Sequence, residues 1–324
     1  MSILDRASRI AGLSGAAFAG YAAYAWYATR RFENLDPAEA GAPGSFLEVD
    51  GQRVHYIATG EGEPVVLIHG WNGSAFSFRH TIPELAPRYR VVAPDLIGFG
   101  YSDRPAHGDY SLTGQAGLVA GVMDRLGIER AAVIGHSMGG GVAMRLALRH
   151  PERVTRLALV DSVTVAEQRR AVRFANLLRP LLPLAAPFTL HRERFRRAAF
   201  RSAVHDPARI TPETLEGYFR PMHMRGHLRA LAQQLSDRHG DELLAPERIE
   251  QPVLVLWGEQ DRWLPVAHGE ELVRQLPHAE WRVVPCAGHL PLEEQAGFCN
   301  RALLAFLEAS PAPVGAPSTL QTRS

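Results

Sequence analysis

Gly135-His136-Ser137-Met138-Gly139 follows the apolar run Ala131-Ala132-Val133-Ile134 and opens the apolar-periodic segment from Gly140 to Leu148. A buried-type strand, a glycine-flanked turn and an amphipathic helix in direct succession place a serine at the apex of a strand–turn–helix elbow. The flanking glycines let the chain turn sharply, because no Cβ stands in the way. The serine then projects beyond the sheet edge at a helix N-terminus, where amides and dipole favour developing negative charge. A serine that only caps the helix is the simpler alternative.

Outward from the elbow, Pro64-Val65-Val66-Leu67-Ile68, Val91-Val92-Ala93, Leu157 to Val160 and Val253 to Leu256 are strands of the fully buried kind, and Trp281 to Val284 completes the set. Phe46 to Ala58 alternates around the turn signal Asp50-Gly51 and predicts a hairpin. Helical periodicity fills the intervals at Leu112 to Leu126, Gly139 to Arg149, His268 to Gln275 and Glu293 to Glu308. Strands alternating with helices predict an α/β fold, a mostly parallel sheet covered on both faces. One interval, 162–250, carries helix-like content and no strong strand, and at about ninety residues it is too long for a loop. It is expected to be an inserted helical cap. Its first half interleaves arginines with apolar residues, from Arg169 to Arg201. Such a stretch either packs its apolar face on the body or lies on an anionic membrane surface.

A serine hydroxyl needs a base to take its proton and a third group to orient that base. Asp261 follows the strand Val253 to Leu256, and His289, in Gly288-His289-Leu290-Pro291, follows the last strand. Both therefore belong at the same sheet edge as Ser137, and the chain order Ser–Asp–His suits an elbow of this kind. Glu259 and Asp161 are rival acids. For a tetrahedral oxyanion, the first backbone donor is expected at Met138, directly after the serine. The second is expected at Trp71, in the loop His69-Gly70-Trp71-Asn72-Gly73-Ser74, with the Asn72 side chain as an alternative. His69 is expected to brace that loop. The histidines of the cap (His191, His205, His223, His227 and His239) show no metal-ligand spacing, and a serine-based hydrolysis needs no metal or organic cofactor, so none is expected.

With 324 residues, a net charge of +1 and 46% hydrophobic residues, the chain can bury a large core, and its charge gives no sign of a nucleic-acid partner. Lysine is absent, so every basic side chain other than histidine is an arginine. Cys286 and Cys299 are too few for a disulfide framework or a metal site and are expected to be buried free thiols. Ile10 to Thr29 contains no charged residue, and about 20 helical residues span a ~30 Å hydrocarbon core. Arg6, Arg9, Arg30 and Arg31 flank it, and Tyr21, Tyr24, Trp26 and Tyr27 crowd its C-terminal end. A single membrane anchor of unknown orientation is expected. Signal cleavage near Ala23-Tyr24-Ala25, giving a secreted or periplasmic protein, and a surface-lying helix are the alternatives. The expected organisation is an anchor over 1–31, a linker over 32–45, a body over 46–161 and 251–309, the cap over 162–250 and a disordered tail over 310–324.

His69-Gly70-Trp71, Asp95 to Ser102, Gly135 to Gly140, Gly258-Glu259-Gln260-Asp261 and Gly288-His289 occur in that order, and together they resemble the α/β-hydrolase fold superfamily. The resemblance spans about 46–309. It implies an eight-stranded sheet with an antiparallel second strand, a triad of Ser137, Asp261 and His289, and a cap after the sixth strand. It also implies that Asp95 and Ser102 hold the loop after the fourth strand. Anchor, cap and elbow together look like membrane-bound monoacylglycerol lipases and bacterial esterases. Hydrolysis of a lipid-like carboxylic ester, such as an acylglycerol, is the expected activity. Carbon–carbon bond hydrolysis and cofactor-free perhydrolysis use the same triad. Dehalogenases and epoxide hydrolases of this fold carry aspartate where Ser137 stands. A non-catalytic tethered binding protein is the reading outside enzymes.

Overall fold

The computed structural model describes residues 3–36, 40–166, 182–237 and 241–309. The basic stretch 167–181 and His239, expected in the cap, and the tail 310–324, expected to be disordered, lie outside them. Helix α1 (Ile3–Phe32) leads into eight strands: β1 (Ser45–Val49), β2 (Gln52–Thr59), β3 (Glu63–Ile68), β4 (Tyr89–Pro94), β5 (Ala131–His136), β6 (Val154–Val160), β7 (Val253–Gly258) and β8 (Ala279–Val284). They form one sheet in the order β1-β2-β4-β3-β5-β6-β7-β8. β2 runs antiparallel to both neighbours, and the remaining pairs are parallel. The Asp50-Gly51 turn joins β1 to β2 with φ of 48° and 74°, the left-handed pair that matches strand twist in a two-residue hairpin.

The apolar runs are continuous because both sheet faces are covered. β5 and β7 are buried along their whole length. Successive residues go to opposite cores: Val66, Ile68, Val133 and Val255 to one, and Val65, Leu67, Ile134 and Leu256 to the other. The first face is covered by α2 (Leu112–Arg125), capped by Ser111, and by α3 (Met138–Arg149). Between β6 and β7 the chain forms a helical insertion that includes α4 (Glu193–Ala203), α5 (Pro212–Phe219) and α6 (His227–Asp237). α7 (Val266–Gln275) and α8 (Ala296–Glu308) complete the body. The helix expected from Glu293 is interrupted at Gln295, whose φ of −132° and ψ of 44° are not helical. Both cysteines are free. Cys299 is buried as expected, whereas Cys286 is exposed.

The N-terminal expectation requires correction. α1 has the length of a membrane span, but alanine, glycine and tyrosine make it only weakly apolar. No helix among the described residues is long and apolar enough to cross a membrane. The anchor, the membrane partner through this segment and the membrane localisation expected from it therefore fall. The helix instead leans on the insertion. The Tyr21 hydroxyl donates to Leu184 O, and Ala25 is buried. The ring of Phe32 stacks on His191 and packs against His223, at 4.5 and 4.3 Å between centroids. Glu33 accepts from the backbone N–H groups of Gly226 and Leu228 at the start of α6. The Ala23-Tyr24-Ala25 triplet lies inside this helix, and cleavage there would remove the Tyr21 contact.

Candidate active site

Parallel register brings the carboxyl ends of β3, β5, β6 and β7 level. Ile68 pairs with Gly135, His136 with Val160, and Val160 with Leu256. The loops that leave these ends converge on one edge. Ser137 sits there at φ 52° and ψ −119°, a strained conformation for a residue with a side chain. Its N–H donates to Val160 O, which fixes the elbow to β6. The glycines around it answer to close backbone approach as well as to torsion. A Cβ at Gly139 would stand 2.1 Å from Ile68 O, and one at Gly135 would stand 2.4 Å from Gly139 O. The start of α3 therefore rests directly on the end of β3.

The three side chains expected to meet do so. His289 Nε2 lies 2.9 Å from Ser137 Oγ, and His289 Nδ1 lies 2.7 Å from Asp261 Oδ2. All three residues are buried. Asp261 Oδ1 accepts from the backbone N–H groups of Trp263 and Leu264. Burial alone would raise the Asp261 pKa, but the hydrogen bond and charge of His289, with the Leu264 amide, hold it below the ordinary carboxylate value. An ionised Asp261 thus receives Nδ1–H, and the Nε2 lone pair points at the serine hydroxyl. Of the rival acids, Glu259 is exposed and accepts from its neighbour Gln260.

Asp161 has a different place. It is fully buried at φ 42°, and its Oδ1 accepts from Gly258 N–H. Its Oδ2 is buried with no donor. Asp161, Asp261 and His289 each bring one ligand-type atom within 4.8 Å of the others, a set with the donors a metal ion could use. The 2.7 Å Nδ1 contact is already a hydrogen bond, which spends His289 Nδ1 and Asp261 Oδ2 on each other. Burial, and then the charge of Asp261, push the Asp161 pKa well above its ordinary value. A proton on Asp161 would leave one negative charge in the pair.

The loop after β3 lies against the serine. A Cβ at Gly70 would come 3.0 Å from Ser137 Cβ. His69 braces this loop, with Nδ1–H donating to Gly70 O and Nε2 accepting from Leu96 N–H. Burial lowers its pKa, so it is a neutral strut. The Asn72 side-chain amide is spent on Met222 Sδ at 3.6 Å. Asp95 accepts from Ala75 N–H, Tyr101 N–H and His55 Nδ1, and its carbonyl receives the Ser102 hydroxyl.

Two contributors were not singled out from the sequence. His136 Nε2–H donates to His289 O, and burial lowers its pKa to about 3, so it stays neutral. Glu294 is a buried carboxylate that accepts from Gly288 N–H and from His205 and Asp206 N–H. It ties the loop of His289 to the chain just beyond α4. Its position five residues past His289, before an interrupted helix, was the only available signal. The site opens into a mostly apolar cavity of about 640 Å³, whose walls include Trp71, Met138, Phe200, Tyr218, Met222 and Trp263.

A serine, an imidazole and a carboxylate joined in series on the carboxyl edge of such a sheet, under a helical insertion, mark a hydrolase of α/β architecture. The chain belongs to the alpha/beta hydrolase fold family, whose model matches residues 63–296. It is 31% identical over 276 residues to the uncharacterized hydrolase YugF of Bacillus subtilis (strain 168), covering 83% of this chain and all of that one. It is 31% identical over 287 residues to 2-hydroxymuconate semialdehyde hydrolase of Pseudomonas putida, covering 84% and 96%. Among solved structures, a membrane phospholipase A described as a bacterial virulence factor superposes with a TM-score of 0.69 at 27% identity. That match covers 94% of this chain and 97% of the other.

Proposed function

We propose that the protein hydrolyses carboxylic esters with an apolar acyl part through an acyl-enzyme intermediate. The observation that carries this reading is the unbroken chain Asp261–His289–Ser137 opening into an apolar cavity. His289 Nε2 takes the hydroxyl proton as Ser137 Oγ attacks the carbonyl carbon. Asp261 keeps the imidazole in the required tautomer and stabilises the imidazolium. The backbone N–H groups of Met138 and Trp71 receive the oxyanion, the first by its place directly after the nucleophile, the second by the packing of its loop on Ser137. Collapse of the tetrahedral species returns the proton to the leaving alkoxide. Water, deprotonated by the same imidazole, then releases the acid. The phospholipase that this chain resembles supports a lipid-like substrate such as an acylglycerol.

The likeness to 2-hydroxymuconate semialdehyde hydrolase favours one second reading, hydrolysis of a carbon–carbon bond next to a carbonyl. A nitrophenyl ester series of increasing acyl length, run beside a dienone acid, separates the two. Turnover of esters that vanishes in Ser137→Ala supports the first reading. Turnover of the dienone acid alone transfers the assignment to the second.

A further inference from the structure

The cavity contains one group that ester hydrolysis does not require. α4 lines it with Phe195, Arg196, Ala199, Phe200 and Ala203, which share one helical face. Arg196 is the only arginine among the lining residues and is 9% exposed. Its Nη1 donates to Leu190 O at 2.7 Å, and its guanidinium carbon lies 5.0 and 5.2 Å from the rings of Phe32 and Phe219. Its Nε is buried without an acceptor. Among the described residues, Glu193 and Glu216 are the acids whose charge reaches it, and Glu216 is exposed to solvent. Glu193, on the same helix, pairs with Arg197, and Asp241, on the cavity wall, receives the N–H groups of Leu112 and Thr113 at the start of α2. A buried cation with an unspent Nε–H on an apolar wall is costly to keep unless an anion meets it there.

We propose that Arg196 binds an anionic group carried by the substrate itself, a carboxylate or phosphate joined through an apolar chain to the carbonyl that Ser137 attacks. This inference rests on ester hydrolysis at Ser137 and specifies its substrate class as anionic amphiphiles. A planar guanidinium matches two oxygens of either group, and in an apolar surround such a bond is stronger than in water. Burial also lowers the Arg196 pKa, and an incoming negative charge would relieve that cost.

The test compares kcat/KM for nitrophenyl monoesters of dicarboxylic acids with that for nitrophenyl alkanoates of equal length, at low salt. A third arm uses lysophospholipids, which carry the anion on the alcohol side. The wild type is expected to favour an anionic substrate over its neutral match. In Arg196→Gln the anionic-to-neutral ratio should fall about tenfold or more, the scale of one charged hydrogen bond, and Arg196→Lys should restore part of it. A preference seen only with lysophospholipids would support the inference and put the anion on the leaving group. A ratio equal in wild type and Arg196→Gln would overturn it, as would a wild-type preference for the neutral member in every arm. The wild-type ratio decides alone if the glutamine variant does not fold. Absence of turnover on every ester, by contrast, would sink the ester reading itself, and the inference with it.

Discussion

The carboxyl edge of the sheet and the helical insertion above it are built on opposite terms. At the edge, position is over-determined. Ser137 is held in a strained backbone, glycines permit approaches that no Cβ could survive, and each atom of Asp261 and His289 that the proposed chemistry uses has a partner. In the insertion, groups are left unspent: Nε of Arg196 and both ring nitrogens of His227 are buried without partners. The edge is a place for fixed chemistry, and the insertion is a place where a ligand can still supply something. Ser137→Ala should have the largest consequence on the first side of that contrast. We expect kcat/KM on a nitrophenyl ester to fall by about 10⁴-fold or more, with circular dichroism unchanged and fluorophosphonate labelling lost. A folded variant that keeps wild-type turnover would break the contrast at its root.

On the other side, Phe32→Ala removes the ring that joins α1 to the insertion between His191, His223 and Arg196. A buried phenyl lost this way costs about 3 kcal/mol or more, read as a lower thermal midpoint. Because Phe32 backs the lining residues Arg196, Phe219 and Met222, KM for long-chain esters should rise more than kcat falls. The reverse pattern would mean that the edge depends on α1, and the two regions would no longer be separable. Glu294→Gln probes the seam. One amide cannot accept from Gly288, His205 and Asp206 together, since its nitrogen is a donor. About 1–3 kcal/mol of stability should be lost with the unpaired amides. Both kcat and KM should worsen, because the loop of His289 and the end of α4 share this anchor. A change in KM alone would assign Glu294 to the insertion.

The same contrast explains what the sequence disclosed. Alternating strands and helices, the elbow and the loop positions of Asp261 and His289 are local signals, and a parallel sheet converts them into one edge by register alone. Asp161 was visible as a post-strand acid, but nothing local said that it stands beside Asp261 as a second carboxyl group. Glu294 and Arg196 act through contacts made across the fold, between a loop and the insertion or between two helices, and helical periodicity does not encode such contacts. The N-terminal segment misled for a related reason. A run without charges resembles a span when only charge is counted, yet its alanines and glycines supply little transfer energy and its last turns bind the insertion.

The smallest expected effect tests the finest detail of the edge, the proton on Asp161. Its pKa is raised, by burial first and then by Asp261, so the folded chain holds a proton that the unfolded chain releases near pH 4. The folded state then binds more protons than the unfolded one above that pH. The contribution is complete in acid and is lost as pH rises towards the raised folded value. In Asp161→Asn the side-chain oxygen still accepts from Gly258, and the amide donates to Asp261 without having to hold a proton. The variant should match the wild type in acid and melt a few degrees higher near pH 7, with turnover altered only severalfold. Thermal midpoints across pH 4 to 8 make the comparison. A variant that is less stable at neutral pH would show that Asp161 is ionised there. The edge would then carry two adjacent negative charges, and its buried Oδ2 would require another cation or donor.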